Sequence, residues 1–213
     1  MTPEDASAYA REIRGLAPVI PVIVVKEVAH AQPLAKALVA GGLPVLEVTL
    51  RTPAALDSIR AMADVEGGVV GAGTLLTPAD VRAAKAAGAL FGVSPGLTDS
   101  LLKACEDEEL PLLAGTATVS EAMRLLERGY SVAKFFPAEA NGGAPALKSY
   151  AGPLPQMSYC PTGGITVKSA PTYLALPNVL CVGGSWVCEA SLLADGRWDE
   201  VERLAREASQ LRG

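Results

Sequence analysis

SVAKFFP, residues 131–137, is long enough for one β-strand and, after its opening serine, is apolar except for a lysine at its centre. Seven similar runs accompany it: VIPVIVV (19–25), VLEVTL (45–50), VVGAGT (69–74), LFGVSP (90–95), LPLLAGT (110–116), MSYCPTGG (157–164) and VLCVGGS (179–185). They recur at intervals of about 20 to 26 residues, the spacing of strands that alternate with helices. Near-continuous runs of Val, Ile and Leu, rather than alternating ones, describe strands buried on both faces of a parallel sheet. Eight such units favour a closed barrel over an open sheet. The expectation is an α/β fold, a single (β/α)8 TIM barrel domain spanning 1–213.

The intervening segments carry helical periodicity, as in AQPLAKALVAGG (31–42), PADVRAAKAAG (78–88) and SEAMRLLERG (120–129). Thr52 before Pro53 and Thr77 before Pro78 read as helix starts, and Gly41, Gly88 and Gly129 as helix ends. An extra helix is expected before the first strand, at about 3–14, and another after the eighth, at about 197–211. GAGTLL (71–76) is not a dinucleotide fingerprint, because the third glycine and the acidic partner are missing.

Half of the 213 residues are hydrophobic, 19% are charged, and the net charge is -5. No basic stripe offers itself to nucleic acid or an anionic membrane, so neither is an expected partner. The opening MTPEDASAYAREIRG is polar, and the longest apolar stretch (16–25) contains two prolines, which predicts a soluble cytoplasmic protein. Cys105, Cys160, Cys181 and Cys188 form no C-x-x-C pair and read as buried thiols. The one histidine, His30, excludes any site with two histidine ligands and reads as part of a helix N-terminus.

Polar residues inside apolar strands are the candidates for chemistry. Glu47, Thr49 and Arg51 alternate in the second strand and share one face, with Leu46, Val48 and Leu50 on the other. A Glu47–Arg51 ion pair is the structural reading, and anion binding by Arg51 at the strand end is the functional one. Lys134 lies between Ala133 and Phe135. Desolvation disfavours an ammonium ion, and the neutral amine is the form that attacks a ketone. The alternative is a buried Lys134–Glu47 ion pair without chemistry. Lys26, the rival lysine, stands beside Glu27 in solvated surroundings. After strands seven and eight come Thr162-Gly163-Gly164 and Gly183-Gly184-Ser185, where barrels hold phosphate on backbone N–H groups. Thr74 and Pro95 end the third and fourth strands, Thr74 as a donor to a carboxylate and Pro95 beside Gly96 in a turn.

IPVIVV, LEVTLRT, GAGTLL, SPGLT, KFFPAEANGG, CPTGGI and CVGGSW together resemble the 2-keto-3-deoxy-6-phosphogluconate aldolases, which also act on 4-hydroxy-2-oxoglutarate. The resemblance runs from about residue 17 to 210. It implies a class I lyase acting on a phosphorylated keto acid in Entner–Doudoroff carbohydrate metabolism, assembled as a homotrimer, with no metal and no cofactor. By position, Lys134 matches the imine-forming lysine and Glu47 the general acid/base. Arg51 and Thr74 match the carboxylate site and Thr162 a contact to the substrate hydroxyls. Pro95 and Phe136 join them as substrate contacts, and Gly163, Gly164, Gly184 and Ser185 match the phosphate site. Ala114 departs from the family, which usually has proline there. The alternatives are an aldolase for the galactonate epimer and a barrel that binds or isomerises a phosphosugar without covalent chemistry. The Asn141-Gly142-Gly143 turn, Tyr150 and Trp186 stay open between ligand contact and packing.

Overall fold

Each apolar run yields a strand shorter than itself. In the computed structural model, which describes residues 1–211, the first three are β1 (Val19–Ile23), β2 (Val45–Thr49) and β3 (Val69–Gly73). Two-residue strands follow: β4 (Gly92–Val93), β5 (Leu112–Leu113) and β6 (Gly115–Thr116). The set ends with β7 (Val132–Phe135), β8 (Ser158–Pro161) and β9 (Val182–Gly184). All pair in parallel, in a curled six-stranded sheet of order β5-β4-β3-β2-β1-β9 and a three-stranded sheet of order β6-β7-β8.

The expected eight strands thus appear as nine, because the fifth apolar run is divided at Ala114. On one side of the division the Leu113 carbonyl accepts from the Ser94 N–H at 3.2 Å. On the other, the Ala114 carbonyl accepts from the Lys134 N–H at 2.9 Å. Isolated parallel bridges, Tyr159 to Val179 and Thr162 to Gly183, link β8 toward β9.

Helices occupy the connections: α1 (Pro3–Gly15), α2 (Ala31–Ala40), α3 (Ala55–Ala63), α4 (Pro78–Ala86), α5 (Asp99–Asp107), α6 (Val119–Arg128), α7 (Gly143–Tyr150), α8 (Ala170–Leu174), α9 (Ala190–Ala194) and α10 (Trp198–Ser209). The first and last are the two extra helices expected before the first strand and after the last. Capping boxes at Thr2, Thr77 and Thr118 start α1, α4 and α6, each reciprocally satisfying two orphan N–H groups. Thr52 does not cap α3 as its sequence suggested. Its hydroxyl donates to the Val25 carbonyl, two residues past β1, and α3 starts without a side-chain cap at Ala54. Gly129 closes α6 in the left-handed conformation, at φ +101°.

The period of two sorts the strand residues into inner and outer sets. Leu46, Val48, Ala133 and Phe135 belong to the larger core, with the helices. Ile20, Val45, Val132, Cys160 and Cys181 form a second apolar cluster with Ala10 and Ile13, by which α1 covers one end of the sheet. Two residues further along each strand, on the same face, stand Val22, Glu47, Lys134 and Thr162. A dry layer therefore underlies the polar one.

Glu106 on α5 receives both Arg128 Nε and an Arg128 terminal nitrogen from α6 at 2.8 Å, and the Tyr130 hydroxyl at 3.2 Å. The Arg128 hydrogen bond holds the Glu106 carboxyl below its usual range. A lowered carboxyl stabilises the fold above its unfolded value of about 4.3 and loses that contribution as pH falls through its lower folded value. Glu106→Gln should therefore lower stability by about 1 kcal/mol at pH 7. Urea unfolding at pH 7 and again at about pH 3 should show the gap to the parent protein narrowing in acid.

Candidate active site

Lys134 and Glu47 are 87 residues apart in sequence and meet in the folded chain: Lys134 Nζ lies 3.3 Å from Glu47 Oε1. Their side chains are only 7% and 4% exposed. Ions removed from water are penalised by several kcal/mol each unless they are paired, so each needs the other there. The Thr116 hydroxyl donates to the Lys134 carbonyl at 3.2 Å, and the Phe136 ring lies beneath the amine, 5.1 Å from centroid to nitrogen.

Three glycines make room for this layer. A Cβ on Gly73 would sit 2.4 Å from Glu47 Oε1; on Gly115, 2.2 Å from the Pro95 carbonyl oxygen; on Gly183, 2.3 Å from the Thr162 hydroxyl. Gly73 also lies one residue before Thr74, a β-branched residue at φ +63°. That conformation costs on the order of 1–3 kcal/mol and collects at functional sites.

Beside the pair opens a cavity of about 170 Å³. Val22 (the register partner of Glu47), Arg51 and Phe136 line one part of it, and the turns at Thr162–Ile165 and Gly183–Ser185 line the rest. Gly163 and Gly164 have φ of +106° and +79°, angles that favour glycine. Their carbonyl side is tied down, the Thr162 and Gly163 oxygens accepting from the Ala138 and Glu139 N–H groups at 2.8 and 3.1 Å. Gly184 has no space for a side chain, because a Cβ would enter the Trp186 indole. Arg51 is exposed at the rim and has no ion-pair partner among the described residues. An unpaired guanidinium facing two glycine turns across a cavity suits a ligand with an anion at each end.

The structure brings together Lys134, Glu47 and Phe136, and Phe136 joins them to Arg51, Thr162, Gly163, Gly164, Gly184 and Ser185. Thr74 and Pro95 follow β3 and β4 in half-buried positions and, like Lys134 and Glu47 themselves, are not among the residues that line the cavity. The Glu47–Arg51 ion pair does not form among the described residues, since Glu47 faces Lys134 instead. Thr49 shares the strand but not the site, for its buried hydroxyl donates to the Ile23 carbonyl at 2.8 Å. Sequence reasoning passed over Val22, Ile165 and Gly73. Only Gly73 carried a signal, as the glycine of GAGT nearest the polar strand end.

Other candidates lie elsewhere. Lys26 is exposed, and His30 packs edge-on to Trp198, 5.5 Å between ring centres. Burial pushes the Cys105 and Cys188 thiols up to about 12 each, which removes them as nucleophiles at neutral pH. Tyr150 donates to the Ala117 carbonyl and packs on Phe135 and Tyr159. No cluster of three or more His, Cys, Asp or Glu is placed to hold a metal ion among the described residues, and none of their helices is long and apolar enough to cross a membrane.

The KDPG and KHG aldolase family model matches residues 11–204. The KHG/KDPG aldolase of Escherichia coli (strain K12) is 54% identical over 200 residues, covering 93% of this chain and 94% of that protein. The 2-keto-3-deoxy-6-phosphogluconate aldolase of Zymomonas mobilis ZM4, solved with 3-phosphoglycerate, superposes with a TM-score of 0.89 at 50% identity, covering 94% and 95% of the two chains. The KDPG aldolase of Legionella pneumophila, with pyruvate captured as a covalent carbinolamine, gives a TM-score of 0.91 at 47% identity, covering 94% and 98%.

Gly73→Ala should drive the Glu47 carboxylate away from Lys134. A displacement of about 1 Å at reacting groups lowers kcat by about 10²-fold, and steady-state kinetics alongside circular dichroism should show that loss in a folded protein.

Proposed function

The chain belongs to the KDPG and KHG aldolase family, and from that premise we propose that it is a class I aldolase cleaving 2-keto-3-deoxy-6-phosphogluconate (KDPG) to pyruvate and glyceraldehyde 3-phosphate. The same site would accept 4-hydroxy-2-oxoglutarate (KHG). The observation that carries this reading is the buried contact between Lys134 and Glu47 beside a cavity with cationic and glycine-turn ends.

Lys134 Nζ, after passing a proton to Glu47, attacks the C2 carbonyl to form a carbinolamine. Glu47, within 3.3 Å of that nitrogen, takes and returns protons so that hydroxide leaves as water and a protonated imine forms. The imine draws the C3–C4 bonding electrons as the C4 hydroxyl loses its proton. The aldehyde departs and an enamine remains. A proton delivered to C3 regenerates the imine, and water releases pyruvate and the free amine. Arg51 and Thr74 hold the carboxylate, while Thr162, Pro95 and Phe136 flank the carbon chain. Gly163, Gly164, Gly184 and Ser185 take the phosphate. The imine itself is the electron sink, so these steps call on no metal or cofactor.

Finer features belong to the same reading. The chain is one domain, and its two sheets join in a closed eight-stranded barrel, β5 and β6 counting as one strand. The carbonyls on either side of the Ala114 division and the Thr162–Gly183 bridge support that closure. The homotrimer, the cytoplasmic location and the place in the Entner–Doudoroff pathway rest on the family resemblance. The 54% identity to a KHG/KDPG aldolase favours this substrate class over the galactonate epimer. The covalent carbinolamine captured in the 47% identical Legionella pneumophila relative favours covalent chemistry over simple phosphosugar binding.

Pyruvate release from KDPG, followed by coupled reduction, tests the assignment. Lys134→Ala should abolish turnover, and Glu47→Gln should lower kcat by about 10²–10⁴-fold. Full activity in a pure Lys134→Ala preparation would refute it.

A further inference from the structure

Glu139 has no part in the chemistry above, yet its side chain lies against the phosphate turn. A Cβ on Gly164 would fall 2.8 Å from Glu139 Cγ and 2.9 Å from its Cβ, so the glutamate stem packs on the Gly164 α-carbon. The Glu139 N–H holds the Gly163 carbonyl at 3.1 Å. At its far end the carboxylate accepts the Tyr173 hydroxyl at 2.6 Å. Tyr173 is 1% exposed and sits on α8, downstream of the turn it helps to hold. Thr166 and Ser169 bind one another in the connection, the Thr166 N–H reaching the Ser169 hydroxyl at 3.0 Å.

These contacts close a ring: from the end of β8 through the Gly163–Gly164 turn to α8, then through Tyr173 and Glu139 back to the segment after β7. Two consecutive glycines at positive φ have wide conformational freedom, and a turn built from them binds well only if something fixes it. Burial and the neighbouring Glu139 carboxylate both push the Tyr173 phenol well above its usual value, so it stays a hydrogen-bond donor throughout the neutral range. Gly143 stands close by, where a Cβ would come within 3.2 Å of the Tyr173 hydroxyl.

We propose that Glu139 and Tyr173 are a positioning pair that fixes the Gly163–Gly164 turn, and so sets the preference for a phosphorylated substrate over an unphosphorylated one, without touching substrate. The proposal rests on the assignment of that turn to the phosphate. It predicts an effect on one substrate only, which a general structural role would not produce.

The test compares kcat and KM for KDPG and for KHG, which lacks the phosphate. Tyr173→Phe keeps the ring and loses one hydrogen bond, so KM for KDPG should rise about fivefold with kcat nearly unchanged. KHG kinetics should stay within about twofold of the parent. Glu139→Gln keeps an oxygen that accepts the Tyr173 hydroxyl and should also stay within about twofold on KDPG, whereas Glu139→Ala should behave as Tyr173→Phe. Equal losses on both substrates for Tyr173→Phe, or no change on either, would overturn the proposal. Ser185→Trp separates the two levels of the argument. If it raises KM for KDPG while Tyr173→Phe does not, the positioning pair alone fails. If it too leaves KM for KDPG unchanged, the phosphate lies elsewhere and both readings fall.

Discussion

The contact between Lys134 and Glu47 is the constraint around which the rest of the site is arranged. A lysine and a glutamate 4–7% exposed inside a parallel sheet would be destabilising one at a time. Together they are tolerable, and they set an amine and a carboxyl 3.3 Å apart. The apolar layer of Ile20, Val45, Val132, Cys160 and Cys181 beneath them, covered by Ala10 and Ile13 of α1, closes the sheet interior from below. Approach is then from the strand C-terminal ends, where the cavity lies.

Space is the second requirement. Gly73, Gly115 and Gly183 occupy positions where any side chain would collide with Glu47, the Pro95 carbonyl or Thr162. Omitting three side chains weakens the strands, because glycine loses more conformational entropy on folding than any other residue. That loss is offset by the outer core, where Leu46, Val48, Ala133 and Phe135 are fully buried with the helices. The strand interior is thus divided in function: the outward face stabilises, and the inward face has been cleared for chemistry.

Much of this was legible in the sequence because it follows a period. The eight apolar runs located every strand, and the outer helices fell within a few residues of Pro3–Gly15 and Trp198–Ser209. Lys134 and Glu47 stood out as charges in runs otherwise apolar, and the two glycine turns marked the far end of the cavity. What escaped the sequence depended on three-dimensional partners. Whether Glu47 pairs with Arg51 four residues away or with Lys134 in another strand is a matter of register. The same holds for Thr49 and Thr52, whose hydroxyls are taken by carbonyls of β1 and of Val25 just past it rather than by ligand or helix. Nor does local propensity show that the fifth run divides at Ala114, where the carbonyls on either side face different neighbours.

Borohydride reduction in the presence of pyruvate, followed by intact mass and peptide mapping, addresses the covalent claim most directly. The account predicts a single pyruvate-derived adduct per chain, on the peptide containing Lys134. A folded protein that gains no adduct, or gains it at the exposed Lys26, would contradict it.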